Sequence, residues 1–228
     1  MQTSSCKNCV LANLCLPFAL EQQQLEKLDK YINQQRKVKR GESLYRKDDS
    51  FKSLYAVRSG AFKAALDQNE REQITGFFLP GEMLGFDGIH GKQYTSNVIA
   101  LSDSSVCEVG YNDLLQLSQQ IPKLQQQVFS MMSQEIVTDM HANLHSTAEI
   151  KLLHFLLQLS ERFSRRGLSE ARFELPMSRQ DIANYLGLAN ETISRLFTKL
   201  QDDKLIILDK REINLLAIDD IRNEVHSH

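Results

Sequence analysis

The sequence predicts an α+β chain: an antiparallel roll of short strands, then one long helix, then a compact helical unit that closes on a hairpin. Three observations predict it. Eight of the ten glycines fall between Gly41 and Gly110, where they punctuate short runs rich in Tyr, Phe, Val and Ile, the texture of a small antiparallel barrel or roll. No glycine occurs from Tyr111 to Arg166, and after Pro122 the pattern is helical to about Phe163. Finally, "MSRQDIANYLGLANETISRLFTKLQDDKLI", Met177 to Ile206, reads as two helices joined at a glycine turn.

With 228 residues, 42% of them apolar, the chain can bury one large core or two modest ones, and two core-bearing domains are expected. The texture changes give residues 1–18 as a cysteine-rich arm, 19–121 as the roll, 122–163 as the long helix and 164–228 as the C-terminal unit. A net charge of -2 gives no bulk attraction to nucleic acid, so any such contact must come from a local surface. No apolar run reaches the roughly 18 residues of a membrane span, and the first residues lack the basic leader and apolar stretch of a secretory signal. A cytoplasmic location without a membrane partner is therefore expected. Thiols there are kept reduced, which turns the four cysteines toward metal or redox chemistry and away from disulfides.

The arm, "SCKNCVLANLCLP", holds Cys6, Cys9 and Cys15 at Cys-x2-Cys-x5-Cys spacing, and 91 residues separate them from Cys107 in the roll. Three local thiolates and one distant thiolate suit an iron–sulfur cluster. Structural zinc more often uses paired Cys-x2-Cys repeats, which are absent here, but zinc stays open as the alternative. His141 and His145 have no cysteine near them in sequence and read as solvated side chains. Next, Leu20, Leu25, Leu28 and Ile32 give Ala19–Ile32 the spacing of a short amphipathic helix.

A helix of about forty residues would be about 60 Å long, more than one small domain covers, so it needs a partner surface. Phe129, Met132, Ile136, Asp139 and Asn143 alternate at spacings of three and four, the seam of a two-helix coiled coil and hence of a homodimer. Asp139 on a two-fold seam faces its own copy, and like charges leaving water make such a dimer conditional.

In the C-terminal unit Ser178 and Asp181 form a capping-box-like start, Ile182, Ala183 and Leu186 an inner face, and Gly187 the turn. The second helix, about Asn190 to Gln201, packs Ile193, Leu196, Phe197 and Leu200 on one side and turns Glu191, Ser194 and Arg195 outward. That division is what a helix-turn-helix needs, with one side packed and the other in a DNA major groove. Arg195 can donate twice to guanine, Glu191 can accept from cytosine, Ser194 can bond base or phosphate, and Lys199 one turn on suits phosphate. Leu205 to Leu216 reads as two strands about the turn Asp209–Glu212, a wing beside the helices. No Gly-rich phosphate loop, Ser-His-Asp set or acidic pair points to an enzyme, which leaves an iron–sulfur redox protein as the less favoured reading.

Three stretches, the "CKNC" to "LCLP" arm, "SLYAVRSGAFK" with "EQITGFFLPGEMLGFDGI", and "MSRQDIANYLGLANETISRLF", resemble the CRP/FNR family of bacterial transcription regulators across nearly the whole chain. Within it they are most similar to the oxygen-sensing FNR (fumarate and nitrate reductase regulator) branch. The resemblance implies a homodimer with a cyclic-nucleotide-binding-like sensor roll, a long dimerisation helix and a winged helix-turn-helix. It implies that Cys6, Cys9, Cys15 and Cys107 ligate an oxygen-labile 4Fe–4S cluster, with zinc binding or nitric oxide sensing as alternatives in the same family. It also implies that Glu191, Ser194 and Arg195 read a palindrome of double-stranded DNA like TTGAT and its inverted repeat four base pairs apart. Asn190 stands where the FNR branch has valine, which bears on the outer base pairs. An activator of this kind meets RNA polymerase through exposed loops, of which Leu66–Glu72 is a candidate. Members that bind cyclic AMP hold its phosphate with an arginine. This chain has none between Arg71 and Arg162, only Lys92 in the corresponding loop, and Glu82 reads as a turn residue, so cyclic nucleotide binding is disfavoured.

Overall fold

In chain order the computed structural model runs from a cysteine-bearing arm through an antiparallel roll and a long helix to a winged helical unit; it describes residues 5–32, 34–68, 71–142 and 147–226. The chain divides into two units between Glu135 and Ile136. In the first, short 3-10 turns at Cys6–Asn8 and Ala12–Leu14 precede α1 (Gln22–Tyr31). The roll follows as β1 (Gln34–Val38), β2 (Ser43–Tyr45), β3 (Ser53–Ser59), β4 (Phe62–Gln68), β5 (Arg71–Phe78), β6 (Met83–Leu84), β7 (Asn97–Ala100) and β8 (Ser104–Gly110). The strands make two antiparallel sheets in the orders β1-β8-β3-β6 and β2-β7-β4-β5. Next come α2 (Tyr111–Gln120) and α3 (Pro122–Ala142), the latter crossing the division.

Strand parity sorts the side chains of the first sheet between two cores. Tyr55 and Val57 of β3, Leu84 of β6 and Val106 of β8 point into the roll, where they meet Tyr45, Phe62, Tyr94 and Val98. Leu54 and Ala56, Met83, Cys107 and Val109, one position out of step, face the opposite way into a second core made with the arm, α1, α2 and the start of α3. Inside the roll Tyr45 stacks on Tyr94 at 3.9 Å between ring centroids. One carboxylate, Asp87, ties the surrounding loops together. Its Oδ1 accepts from the Tyr45 hydroxyl at 3.1 Å, and its Oδ2 accepts from the N–H and hydroxyl of both Thr95 and Ser96 at 2.9–3.2 Å.

The second unit holds α4 (Ala148–Arg165), β9 (Arg172–Glu174), α5 (Arg179–Leu186), α6 (Asn190–Asp202), β10 (Ile206–Asp209), β11 (Glu212–Leu215) and α7 (Ile218–His226). The wing is a three-stranded sheet, β10-β11-β9, one strand more than the sequence predicts. Here the expected single helix over 122–163 is corrected. It is two helices, because Thr147 caps a new one by accepting the Ile150 N–H at 3.2 Å. Helical periodicity is blind to such a restart, since a threonine fits both a helix interior and a cap. At 21 residues α3 is about 32 Å long rather than about 60 Å. The boundary at 164 moves as well. Leu152, Leu153, Leu156 and Leu159 of α4 are fully buried in the C-terminal unit, with α4 against α5, α6, α7 and β9.

Candidate functional site

Cys6, Cys15 and Cys107 pack in one apolar cluster on the outer face of the first roll sheet, and Cys9 is an electrostatic neighbour of Cys15. Cys107 reaches that face by position in β8, where it stands opposite Gln35 of β1 and Ala56 of β3. Cys6 is buried, and Cys15 and Cys107 pack on the same apolar cluster, which includes the fully buried Leu16 and Leu28. No disulfide joins any of the four.

Local structure fixes each arm cysteine. Asp29 of α1 accepts the Cys6 N–H at 2.6 Å and the Ser5 hydroxyl at 2.7 Å, and Lys7 pairs with Glu26 one turn earlier at 2.8 Å. The Cys9 N–H donates to the Cys6 carbonyl at 3.4 Å, which closes the first 3-10 turn. The Cys15 carbonyl accepts from Phe18 N–H at 3.0 Å and from Gln127 Nε2 of α3 at 3.4 Å. Between them Leu14 lies over Gly81, where an added Cβ would stand 2.9 Å from the Leu14 Cβ. Only glycine fits under the arm there, and its φ of +92° also favours glycine. Asp29 and Gln127 are polar residues on amphipathic helices, and nothing in their spacing singles them out in the sequence.

The electrostatics of this site oppose bare thiolates. Burial pushes the Cys15 thiol up to about 12, Cys107 and Cys9 add to the rise, and a hydrogen bond with the Leu16 backbone opposes it. Burial, then the Asp29 carboxylate, then Cys15 hold Cys6 far above the ordinary thiol range, with Cys107 adding to the effect. Cys6 and Cys15 therefore need a cation beside them before their thiols can ionise together. Among the described residues, however, no three His, Cys, Asp or Glu side chains are grouped as a single ion would require.

On α6, Glu191, Arg195 and Lys199 are exposed and Ser194 is half-buried, while Ile193, Phe197 and Leu200 are fully buried, so the two faces divide as the sequence predicts. Ser178 Oγ accepts the Asp181 N–H, and Asp181 Oδ2 accepts the Ser178 N–H, each at 3.0 Å, a complete capping box for α5. Gly187 ends α5 at φ +66°, the left-handed conformation that lets the chain turn into α6. Arg179 lies 5.4 Å above the Phe197 ring and locks the two helices together. The exposed Lys199 ammonium pairs with Glu149 at the start of α4.

Along α3 the predicted seam is exposed at Phe129 (60%) and Ile136 (59%), joined by Val137, and Met132 is half-buried. The side chain of Asp139 lies outside the described residues, as do those of Asn143, His141 and His145; so do residues 69 and 70 of the candidate polymerase loop. Glu82 is a turn residue, its carboxylate accepting the Leu79 N–H at 2.9 Å. No helix among the described residues is long and apolar enough to cross a membrane.

Residues 35–121 match the family model of the cyclic nucleotide-binding domain, and residues 175–206 match that of bacterial regulatory proteins, crp family. The chain is 43% identical to the transcriptional activator protein FnrA of Stutzerimonas stutzeri over 92% of its own length and 88% of that protein's. It is 42% identical to the fumarate and nitrate reduction regulatory protein of Vibrio cholerae, over 92% and 86%. Among solved structures, FixK2 from Bradyrhizobium japonicum superposes with a TM-score of 0.76 at 26% identity, over 83% of this chain and 96% of that one. The roll, the winged helix-turn-helix and these relatives together make the chain a DNA-binding transcription regulator and not an enzyme: it belongs to the CRP/FNR family.

Proposed function

We propose that the chain is an oxygen-responsive, sequence-specific regulator of anaerobic gene expression that works in the cytoplasm as a homodimer on FNR-like palindromic promoter sites. The observation that supports this reading is the packing of Cys6, Cys15 and Cys107 in one apolar cluster that the start of α3 also joins, with Cys9 an electrostatic neighbour of Cys15. The four residues suit a 4Fe–4S cluster, which supplies the positive charge that crowded thiolates need and iron–sulfide bonds that oxygen attacks.

The chain's own residues couple that site to DNA. Leu16 and Leu28 keep water from its inner side, and Leu14 seats the arm on Gly81. Gln127 bonds the Cys15 carbonyl, and Leu124, Val128 and Met131 complete the apolar contact of α3 with the arm. With the arm fastened, α3 offers Phe129, Met132 and Ile136 to a second copy. The charge of Asp139 opposes that pairing and sets the threshold of the switch. The dimer then presents two α6 helices for half-sites about one DNA turn apart, with Glu191, Ser194 and Arg195 reading base edges and Asn190 modifying the outer positions. The end of the β4–β5 hairpin, which holds Leu66–Asp67–Gln68 and Arg71–Glu72 of the predicted loop Leu66–Glu72, serves as a contact to RNA polymerase.

Iron and sulfide analysis of anaerobically purified protein tests the reading directly. Near-equal iron and sulfide, with loss of colour, dimer and specific DNA binding in air, is the expected result. A colourless, zinc-containing dimer that keeps binding DNA in air would overturn the oxygen-sensor reading and leave the DNA-binding one standing.

A further inference from the structure

Three consecutive residues of the arm, Ser5, Cys6 and Lys7, are fastened to two acidic side chains one turn apart on α1. Asp29 Oδ1 accepts the Cys6 N–H at 2.6 Å, while Oδ2 accepts the Ser5 hydroxyl at 2.7 Å. Ser5 Oγ in turn accepts the Lys7 N–H at 3.2 Å, and the Lys7 ammonium meets Glu26 at 2.8 Å. The arm's first 3-10 turn is too short to define its own orientation, so its direction comes from these bonds. Asp29 itself is held in place because its neighbour Leu28 is fully buried in the apolar cluster that contains Cys6. Of the arm cysteines, Cys6 alone has its backbone N–H taken by a side chain among the bonds described.

From this geometry we infer that Asp29 is a positioning residue for Cys6. Its two oxygens set the direction of the first 3-10 turn and hold the Cys6 backbone in the apolar cluster that Cys15 and Cys107 also join before any ligand arrives. The role concerns orientation and not charge. A carboxylate beside a thiol works against the thiolate, so its placement 2.6 Å from the Cys6 N–H makes sense only as a clamp on the backbone. Preorganising one of several ligands removes an ordering cost that would otherwise fall on ligand binding. The inference rests on the cluster reading for its purpose, though not for its geometry.

Two variants separate the clamp from its charge. Asp29→Ala removes both bonds. Asp29→Asn keeps an oxygen for the Cys6 N–H and offers its amide to Ser5 Oγ, but has no charge. The first readout is the rate at which iodoacetamide labels each cysteine of the reduced, metal-free full-length chain, followed by peptide mass spectrometry. Labelling of buried Cys6 requires local opening, so Asp29→Ala is expected to speed it about tenfold, the equivalent of one lost charge-assisted bond, with Cys107 unchanged. Asp29→Asn should stay within about twofold of the parent. The second readout is iron retention of the anaerobically loaded protein under a chelator, which Asp29→Ala should shorten about tenfold and Asp29→Asn largely preserve. Equal acceleration of labelling by both variants would mean that charge governs Cys6 and would overturn the clamp, as would no acceleration by either. If the parent takes up no iron while Asp29→Ala still exposes Cys6, the clamp stands and the cluster reading falls.

Discussion

Ile136→Ala separates the surface a protomer uses for itself from the one it offers to a second copy. Ile136 is 59% exposed in the protomer. Complete burial of such a side chain is worth about 1.5–3 kcal/mol, so covering the exposed 59% contributes about 0.9–1.8 kcal/mol per copy and about 1.8–3.6 kcal/mol across a two-fold seam. Truncation to alanine should therefore weaken the dimer about 20- to 400-fold. The protomer itself should lose little, because alanine is the best helix former and no core contact is removed. Leu124→Ala, in the same helix, is the contrast. Leu124 is fully buried, and its truncation should cost about 2–5 kcal/mol of protomer stability through the cavity it leaves. Sedimentation equilibrium of both variants without oxygen gives the dimer constants, and urea unfolding gives the stabilities. The seam reasoning fails if Ile136→Ala dimerises like the parent, or if it lowers protomer stability as much as Leu124→Ala does.

Other consequences follow from the same geometry. Arg195→Ala should remove about 1–3 kcal/mol of preference at one base pair of each half-site, seen when titrations against single-base operator variants flatten at that position alone. A uniform loss on every sequence would instead make Arg195 a phosphate contact. Asp87→Ala leaves the Tyr45, Thr95 and Ser96 donors without their shared acceptor and should cost about 2–4 kcal/mol in urea unfolding; a cost below about 1 kcal/mol would mean that water replaces the carboxylate. Gly187→Ala should lower stability by about 1–2 kcal/mol from its positive φ alone, since nothing lies within 4 Å of the added methyl group. Thermal unfolding checks that figure, and an unchanged midpoint would show that α5 can end without a left-handed residue.

Periodicity and punctuation made most of this fold legible. The capping box at Ser178, the turn at Gly187 and the two faces of α6 all sit within a single local window, so sequence and structure agree to within a residue or two. Long-range pairing was not legible. β1 hides in a polar, basic run because among its described side chains only Val38 enters a core, and β9 is three residues long. The helix restart at Thr147 depends on one side-chain bond that a repeat of apolar residues does not encode. At the cysteine site the residue types and their spacing were readable, whereas Asp29 and Gln127 act on backbone atoms of the arm and leave no pattern of their own.

The parity of β8 explains why one cysteine can be so far from the other three. Cys107 lies between Val106, which fills the roll, and Glu108, which accepts the Ser53 hydroxyl at 2.8 Å; a one-residue slip would turn the thiol into the roll and away from the arm. In the proposed cluster reading, a fourth ligand at Cys107 requires the roll to be in register. A similar offset operates on α3. Leu124, Val128 and Met131 face the arm, and Phe129, Met132 and Ile136 form the proposed seam; Phe129 and Met132 each lie one position, about 100° of helix rotation, from Val128 and Met131. Two adjacent stripes on one rigid helix cannot move independently. In the proposed switch, any shift of the arm that repacks Val128 and Met131 must roll the seam with it. In that same proposal a loss of ligation at Cys15, whose carbonyl is bonded by Gln127, would reach the dimer through a rotation of α3 without a separate relay.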